Sequence, residues 1–143
     1  MTTNTKKLLL LIDVQYDFIN GSLAVDGAPA IMDSLAAYIA EQPADTFSQI
    51  VMTADFHPYN HSSFKDNGGL WPVHCVAHSH GASIYQPVFE AVNKQIPCAP
   101  VLTKGDNVAA QDDKGVYHEV NAINCDGAAI HLTSPVPTPE NAS

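Results

Sequence analysis

Apolar residues fall in short blocks separated by turn formers, and the blocks alternate between strand-like and helix-like patterns. Leu8 to Ile12 is a continuous apolar run, the pattern of a central parallel strand covered on both faces. It stops at Asp13. Asn20-Gly21-Ser22 and Asp26-Gly27 are turn signals. Pro29 then opens an amphipathic helix with Ile31, Leu35, Tyr38 and Ile39 on one face, and Pro43 stops it. Gln49 to Ala54 reads as a second strand, and strand, helix, strand in that order predicts a parallel pair with a right-handed crossover. Residues 55–80 have little periodicity, and a loop this long in a compact domain is functional or disordered. Trp71, Pro72 and the histidines argue for order and function. Pro87 opens a second helix with Val88, Phe89 and Val92 as its apolar side, and Val101-Leu102-Thr103 reads as a third strand ending at Lys104-Gly105. Asp106 to Gly115 is polar and unpatterned, and residues 133–143 are Pro-rich and read as a disordered tail.

Composition narrows the class. At 143 residues the chain is expected to form a single domain over 1–143, large enough to bury ~70% of its unfolded surface. A net charge of -9 with only six Lys and Arg excludes an electrostatic footprint for nucleic acid. The N-terminal apolar run ends at Asp13, too short for a signal-peptide core or a membrane span, so no membrane partner is expected and the default address is cytoplasmic. Cys75, Cys98 and Cys125 form no C-x-x-C pair and no even framework, which fits a reducing compartment with free thiols.

Candidate chemistry concentrates in residues 53–76. Asp55, His57, His61 and His74 follow closely on the second strand. Asp and His two residues apart can both face one cation from a strand's frayed end, and a third ligand returning from the loop leaves positions open for water or substrate. The alternative is a histidine-containing surface loop. Asp13 and Lys104 each stand at the carboxyl end of a predicted parallel strand, where open α/β sheets gather ligands. Paired, they are a candidate catalytic couple. Apart, Asp13 is equally a capping carboxylate and Lys104 a solvated loop residue.

Four motifs in order carry a resemblance. Leu11-Ile12-Asp13-Val14-Gln15-Tyr16-Asp17-Phe18, followed by Gly21-Ser22-Leu23-Ala24-Val25, is similar to the opening of the nicotinamidase and isochorismatase-like cysteine hydrolases. Thr53-Ala54-Asp55-Phe56-His57-Pro58-Tyr59-Asn60-His61-Ser62-Ser63-Phe64 resembles that family's metal loop. Leu70-Trp71-Pro72-Val73-His74-Cys75-Val76 with Gly81-Ala82 resembles its next motif, and Thr103-Lys104-Gly105 its catalytic lysine. The match spans residues 8–105 and favours the nicotinamidase branch. The resemblance implies a three-layer α/β/α sandwich with a mainly parallel sheet. It implies hydrolysis of nicotinamide or a similar small amide to the acid and ammonia through a Cys thioester. Asp13 would be the general base and Lys104 its partner. Asp55, His57 and His74 would bind zinc or another divalent ion, with His61 a variable fourth contact. Phe18 and Trp71 would flank the substrate ring. Resembling chains often pair, so a homo-oligomer is the implied assembly.

The chain departs from the family after Gly105. Residues 106–143 diverge, and the last βα units are expected to be missing or altered. Cys125 is the only Cys beyond Lys104 and comes too soon to occupy the nucleophile's motif, although Asp126 to Ile130 could open a short helix behind it. Two functions therefore compete: a cysteine amidase using Cys125 or a rearranged C-terminus, and a shortened, catalytically impaired member that binds a divalent metal or a pyridine ligand without turnover.

Overall fold

Three parallel strands and the helices between them form the part of the molecule that positions the site. A computed structural model describes residues 5–108, 119–123 and 129–133. The order is β1 (Leu8–Ile12), α1 (Tyr16–Ile19), α2 (Ala28–Glu41), β2 (Gln49–Asp55), α3 (Gln86–Gln95), β3 (Val101–Lys104), β4 (Glu119–Ile123) and β5 (Ala129–Thr133). β1, β2 and β3 run parallel, with Leu10 beside Val51 and Ala54 beside Thr103. β4 and β5 extend the sheet antiparallel, giving the order β1-β2-β3-β4-β5.

Local sequence explains where the helices begin and end. Gly27 takes the left-handed φ of 82° that a side chain resists, and Pro29 follows in the first turn of α2. Pro43 ends the helix because it has no N–H to continue the ladder. The carbonyls this leaves at the end of α2 are met from α3: Gln95 Nε2 donates to Ile39 O at 3.0 Å and to Gln42 O at 2.7 Å. Val88, Ala91 and Val92 of α3 pack with Met32, Ala36 and Ile39 of α2 over Leu11, Ile50 and Met52 of the sheet. Burying side chains as fully as Ile39, Ile50 and Val88 contributes about 1.5–3 kcal/mol each.

The expected parallel α/β architecture is present, and the last βα units are not among the described residues. Several details differ from the sequence reading. The buried stripe of α2 is Met32, Ala36 and Ile39, while Ile31 and Tyr38 are exposed; in α3, Phe89 is exposed and Ala91 is buried. In each helix the periodicity fixes a spacing, but the rotation about the axis is set by contact with the neighbouring helix. β4 and β5 were not anticipated, and β5 occupies Ala129 and Ile130, part of the stretch that could have opened a short helix. The expected disordered tail lies outside the described residues beyond Thr133, as does Cys125. Cys98, expected to be a free thiol, is disulfide-bonded. Among the described residues β1 pairs on one side only, although its composition is that of a central strand. No helix among the described residues is long and apolar enough to cross a membrane.

Candidate metal and catalytic site

The carboxyl ends of β1, β2 and β3 bring Asp13, Asp55 and Lys104 together. Lys104 Nζ lies 2.7 Å from Asp13 Oδ2 and also bonds Asp55 Oδ1. Asp13 sits one residue past β1 in the left-handed region, φ 54°, a conformation Asp tolerates better than most residues. Thr53 holds it there: Asp13 N donates to Thr53 O at 3.1 Å, and Thr53 Oγ1 donates to Asp13 Oδ1 at 2.7 Å. Burial works to lower the Lys104 pKa, but the carboxylates of Asp55 and Asp13 outweigh it and hold the ammonium above its ordinary value.

Asp55 joins this pair to a second cluster. Its Oδ2 lies 3.5 Å from His57 Nε2 and 3.7 Å from His74 Nε2. One ligand atom from each of Asp55, His57 and His74 falls within 4.8 Å of the others, and all three residues are buried. Both imidazoles are oriented by backbone carbonyls. His57 Nδ1 is 2.9 Å from Gly105 O, and His74 Nδ1 is 2.7 Å from Pro72 O. A carbonyl can only accept, so each Nδ1 carries the proton and each Nε2 presents its lone pair inward, the arrangement of metal-ligating histidines. Two nitrogens and one carboxylate oxygen suit zinc or a similar divalent ion with a coordination position left open. Asp55, His57 and His74 are thus a candidate site for a divalent metal. Burial acts to raise the Asp55 pKa, but contact with the His57 and His74 imidazoles and the Lys104 charge hold its carboxyl well below the usual range. Burial alone would lower the His74 pKa; contact with Asp55 reverses this and raises it.

The aromatic neighbours differ in placement. Phe18 packs beside His74, ring centroids 5.7 Å apart. Trp71 is exposed on the loop three residues before His74, its N–H bonded to Ser63 O at 3.0 Å. His61 is buried against His57, centroids 4.1 Å apart, with its Nδ1 2.7 Å from Ser63 Oγ. Burial, then repulsion from His57, pushes its pKa down to about 4.

Two residues assigned no role from sequence organise the site. Gln15 is fully buried: its Oε1 accepts from Asp55 N at 2.9 Å, and its Nε2 donates to Asp55 O at 2.7 Å and Ala82 O at 2.8 Å. Asp17 Oδ2 accepts from Cys75 N at 2.7 Å and fixes the strained turn at Cys75, φ 48°. Gly81 is required there, because a Cβ would fall on the Asp17 carboxylate. Gln15 and Asp17 follow an apolar strand, as a solvated loop would, and no periodicity marks Gln15 as buried. Cys75 itself is buried, and burial together with Asp55, Asp17 and Asp13 raises its thiol pKa, so it stays protonated.

Fold and site together define an isochorismatase-like α/β chain. The comparisons place it more narrowly. The curated relatives it matches are named nicotinamidases, one of them nicotinamidase/pyrazinamidase. The nicotinamidase of Acinetobacter baylyi is 34% identical over 141 residues, 87% of this chain and 61% of that protein. Among solved structures, an L. infantum protein in complex with nicotinate is 35% identical with a TM-score of 0.64, covering 80% of this chain and 58% of the other. The pyrazinamidase of Pyrococcus horikoshii in complex with zinc is 28% identical with a TM-score of 0.59, covering 76% and 56%. No family model matches the chain. The chain is thus homologous to curated nicotinamidases, and it spans about half the length of the curated relatives it matches.

Proposed function

We propose that this chain carries a nicotinamidase-type amidohydrolase site, acting on nicotinamide or a similar small amide. The observation that supports this most is the Lys104 ammonium, which joins the Asp13 carboxylate to Asp55 and so couples a base to a metal-binding cluster. Asp55, His57 and His74 would hold zinc or another divalent ion. When bound, such an ion supplies a positive contact for a pyridine nitrogen and for water. Phe18, against His74, and Trp71, at the outer loop, would flank the substrate ring. Asp13 would take a proton from a thiol, and Lys104 would stabilise the resulting thiolate and keep Asp13 in register. Attack by that thiolate on the amide carbonyl would expel ammonia, with the Asp13 proton passing to the leaving nitrogen. Water would then cleave the thioester to release the acid and return the thiol.

A second reading is binding without turnover, favoured by the state of the described cysteines. Cys75 is buried and held protonated, and Cys98 is disulfide-bonded. Ammonia release from nicotinamide by the zinc-loaded chain distinguishes the two. Release under reducing conditions that is lost in both Asp13→Asn and Cys125→Ala supports thioester hydrolysis with Cys125 as nucleophile. Calorimetric binding of nicotinamide without ammonia supports the second reading. Neither binding nor release would overturn both.

A further inference from the structure

Thr53 is the residue through which β2 holds the end of β1. It is half-buried and lies opposite Ile12 in the parallel register, which brings its side chain to the first residue beyond β1, Asp13. The Asp13 N–H is shared between Thr53 O and Thr53 Oγ1, each at 3.1 Å. Because its oxygen accepts from that N–H, the Thr53 hydroxyl directs its own hydrogen to Asp13 Oδ1 at 2.7 Å. The other oxygen, Asp13 Oδ2, lies 2.7 Å from Lys104 Nζ. Among the described residues each oxygen of this carboxylate therefore has one donor, and a lone pair on each remains to receive a proton. Asp13 O in turn accepts from Gln15 N at 2.8 Å, so the left-handed backbone at Asp13 is tied on both sides.

We propose that Thr53 is a positioning residue for the Asp13 base, its hydroxyl fixing which carboxylate oxygen faces Lys104 and which is turned away. The inference rests on the hydrolase reading above, in which a proton passes to Asp13 and the direction of its lone pairs matters. An Asp carboxylate turns about its Cβ–Cγ bond over a broad range. Lys104 by itself does not stop that turn, because an ammonium is a compact charge with rotatable donors that either oxygen can meet. Its donors are also divided between Asp13 and Asp55. A hydroxyl anchored on the neighbouring strand supplies the direction that the ammonium lacks. The anchor is stiff: a β-branched side chain is restricted at χ1, and Thr53 Oγ1 is held by the Asp13 N–H as well. Serine at this position would keep the hydroxyl, and valine would keep the branching without it.

The test compares the zinc-loaded chain with Thr53→Val and Thr53→Ser under reducing conditions, after denaturant midpoints have shown that each is folded. In ammonia release from nicotinamide, Thr53→Val is expected to lose about tenfold to a hundredfold in kcat, with KM within about threefold of wild type. Thr53→Ser is expected to restore most of that loss. A second readout needs no turnover: the carboxyl carbon resonance of Asp13 should move in Thr53→Val and return in Thr53→Ser, while that of Asp33 on α2 stays in place. If the wild-type chain releases no ammonia, the hydrolase reading fails, and the resonance then decides the role of Thr53: movement that serine reverses supports it. An Asp13 resonance unmoved in Thr53→Val overturns the proposal in an active or an inactive chain. Unchanged kcat in an active chain also overturns it. So does a Thr53→Ser chain that behaves as Thr53→Val does, because the methyl group and not the hydroxyl is then the agent. Thr53→Ala, which also lacks the hydroxyl, carries the same expectations where the valine chain does not fold.

Discussion

Gln15 grips the backbone of Asp55 at both ends, accepting its N–H at 2.9 Å while its own Nε2 donates back to Asp55 O at 2.7 Å, and both residues are buried. The same amide reaches Ala82 O at 2.8 Å. One side chain thus ties the end of β2 to the turn that follows the His74 loop. Gln15→Ala leaves a buried N–H and two buried carbonyls short of a partner, and is expected to cost about 3 kcal/mol of folding free energy. Urea unfolding measures that loss, and zinc titration should show weaker binding, since the Asp55 backbone is no longer fixed. A variant with unchanged stability and unchanged zinc affinity would show that the clamp is incidental.

The metal cluster predicts a plain stoichiometry. The purified chain is expected to hold about one divalent ion, and His57→Ala to lose most of it, because three protein ligands fall to two. Elemental analysis after dialysis against limiting chelator decides the matter. Equal metal in the two proteins would remove His57 from the ligand set.

Lys104 separates two carboxylates that would otherwise face each other across the strand ends. Its side chain is 21% exposed, so its ion pairs are partly screened, but Asp55 is nearly closed off from solvent. Lys104→Met is expected to destabilise the fold by about 3 kcal/mol by leaving these carboxylates without their cation. Adding Asp13→Asn should recover part of the loss, because one of the repelling charges is removed. Chemical denaturation of the single and double variants gives the coupling, and strictly additive effects would exclude it.

His61 sets an acid-side pH dependence in the metal-free chain. Its pKa falls from 6.5 to about 4 on folding. A depressed folded pKa means that the unfolded chain takes up the proton first. The contribution of neutral His61 is therefore complete above pH 6.5 and is lost as pH falls toward 4, amounting to about 3 kcal/mol. His74 acts in the opposite direction: its pKa is raised, so its contribution is present below 6.5 and declines as pH rises above it. His61→Asn keeps an acceptor for Ser63 while removing the titration. Its stability should fall less steeply than wild type between pH 6.5 and 4; parallel curves from denaturant midpoints would refute the assignment.

The sequence by itself determined the elements whose cause is local. The apolar runs of β1 and β2, the proline and glycine punctuation of α2 and α3, and the parallel connection all follow from side-chain period and backbone chemistry within a few residues. It also marked Asp13, Asp55, His57, His74 and Lys104, because chemistry-bearing residues at strand ends stand out against apolar neighbours. Tertiary structure alone decided the rest. Helix rotation put Met32 and Ala36 inward and left Ile31 and Tyr38 exposed, because α2 packs against α3 as well as the sheet. The roles of Gln15 and Asp17 depend on partners 40 and 58 residues away, a separation no local pattern encodes. The position of β1 is the clearest case. Its five apolar residues state that the strand should be buried, but how many neighbours it has depends on what else joins the sheet, and that is a property of the assembled fold.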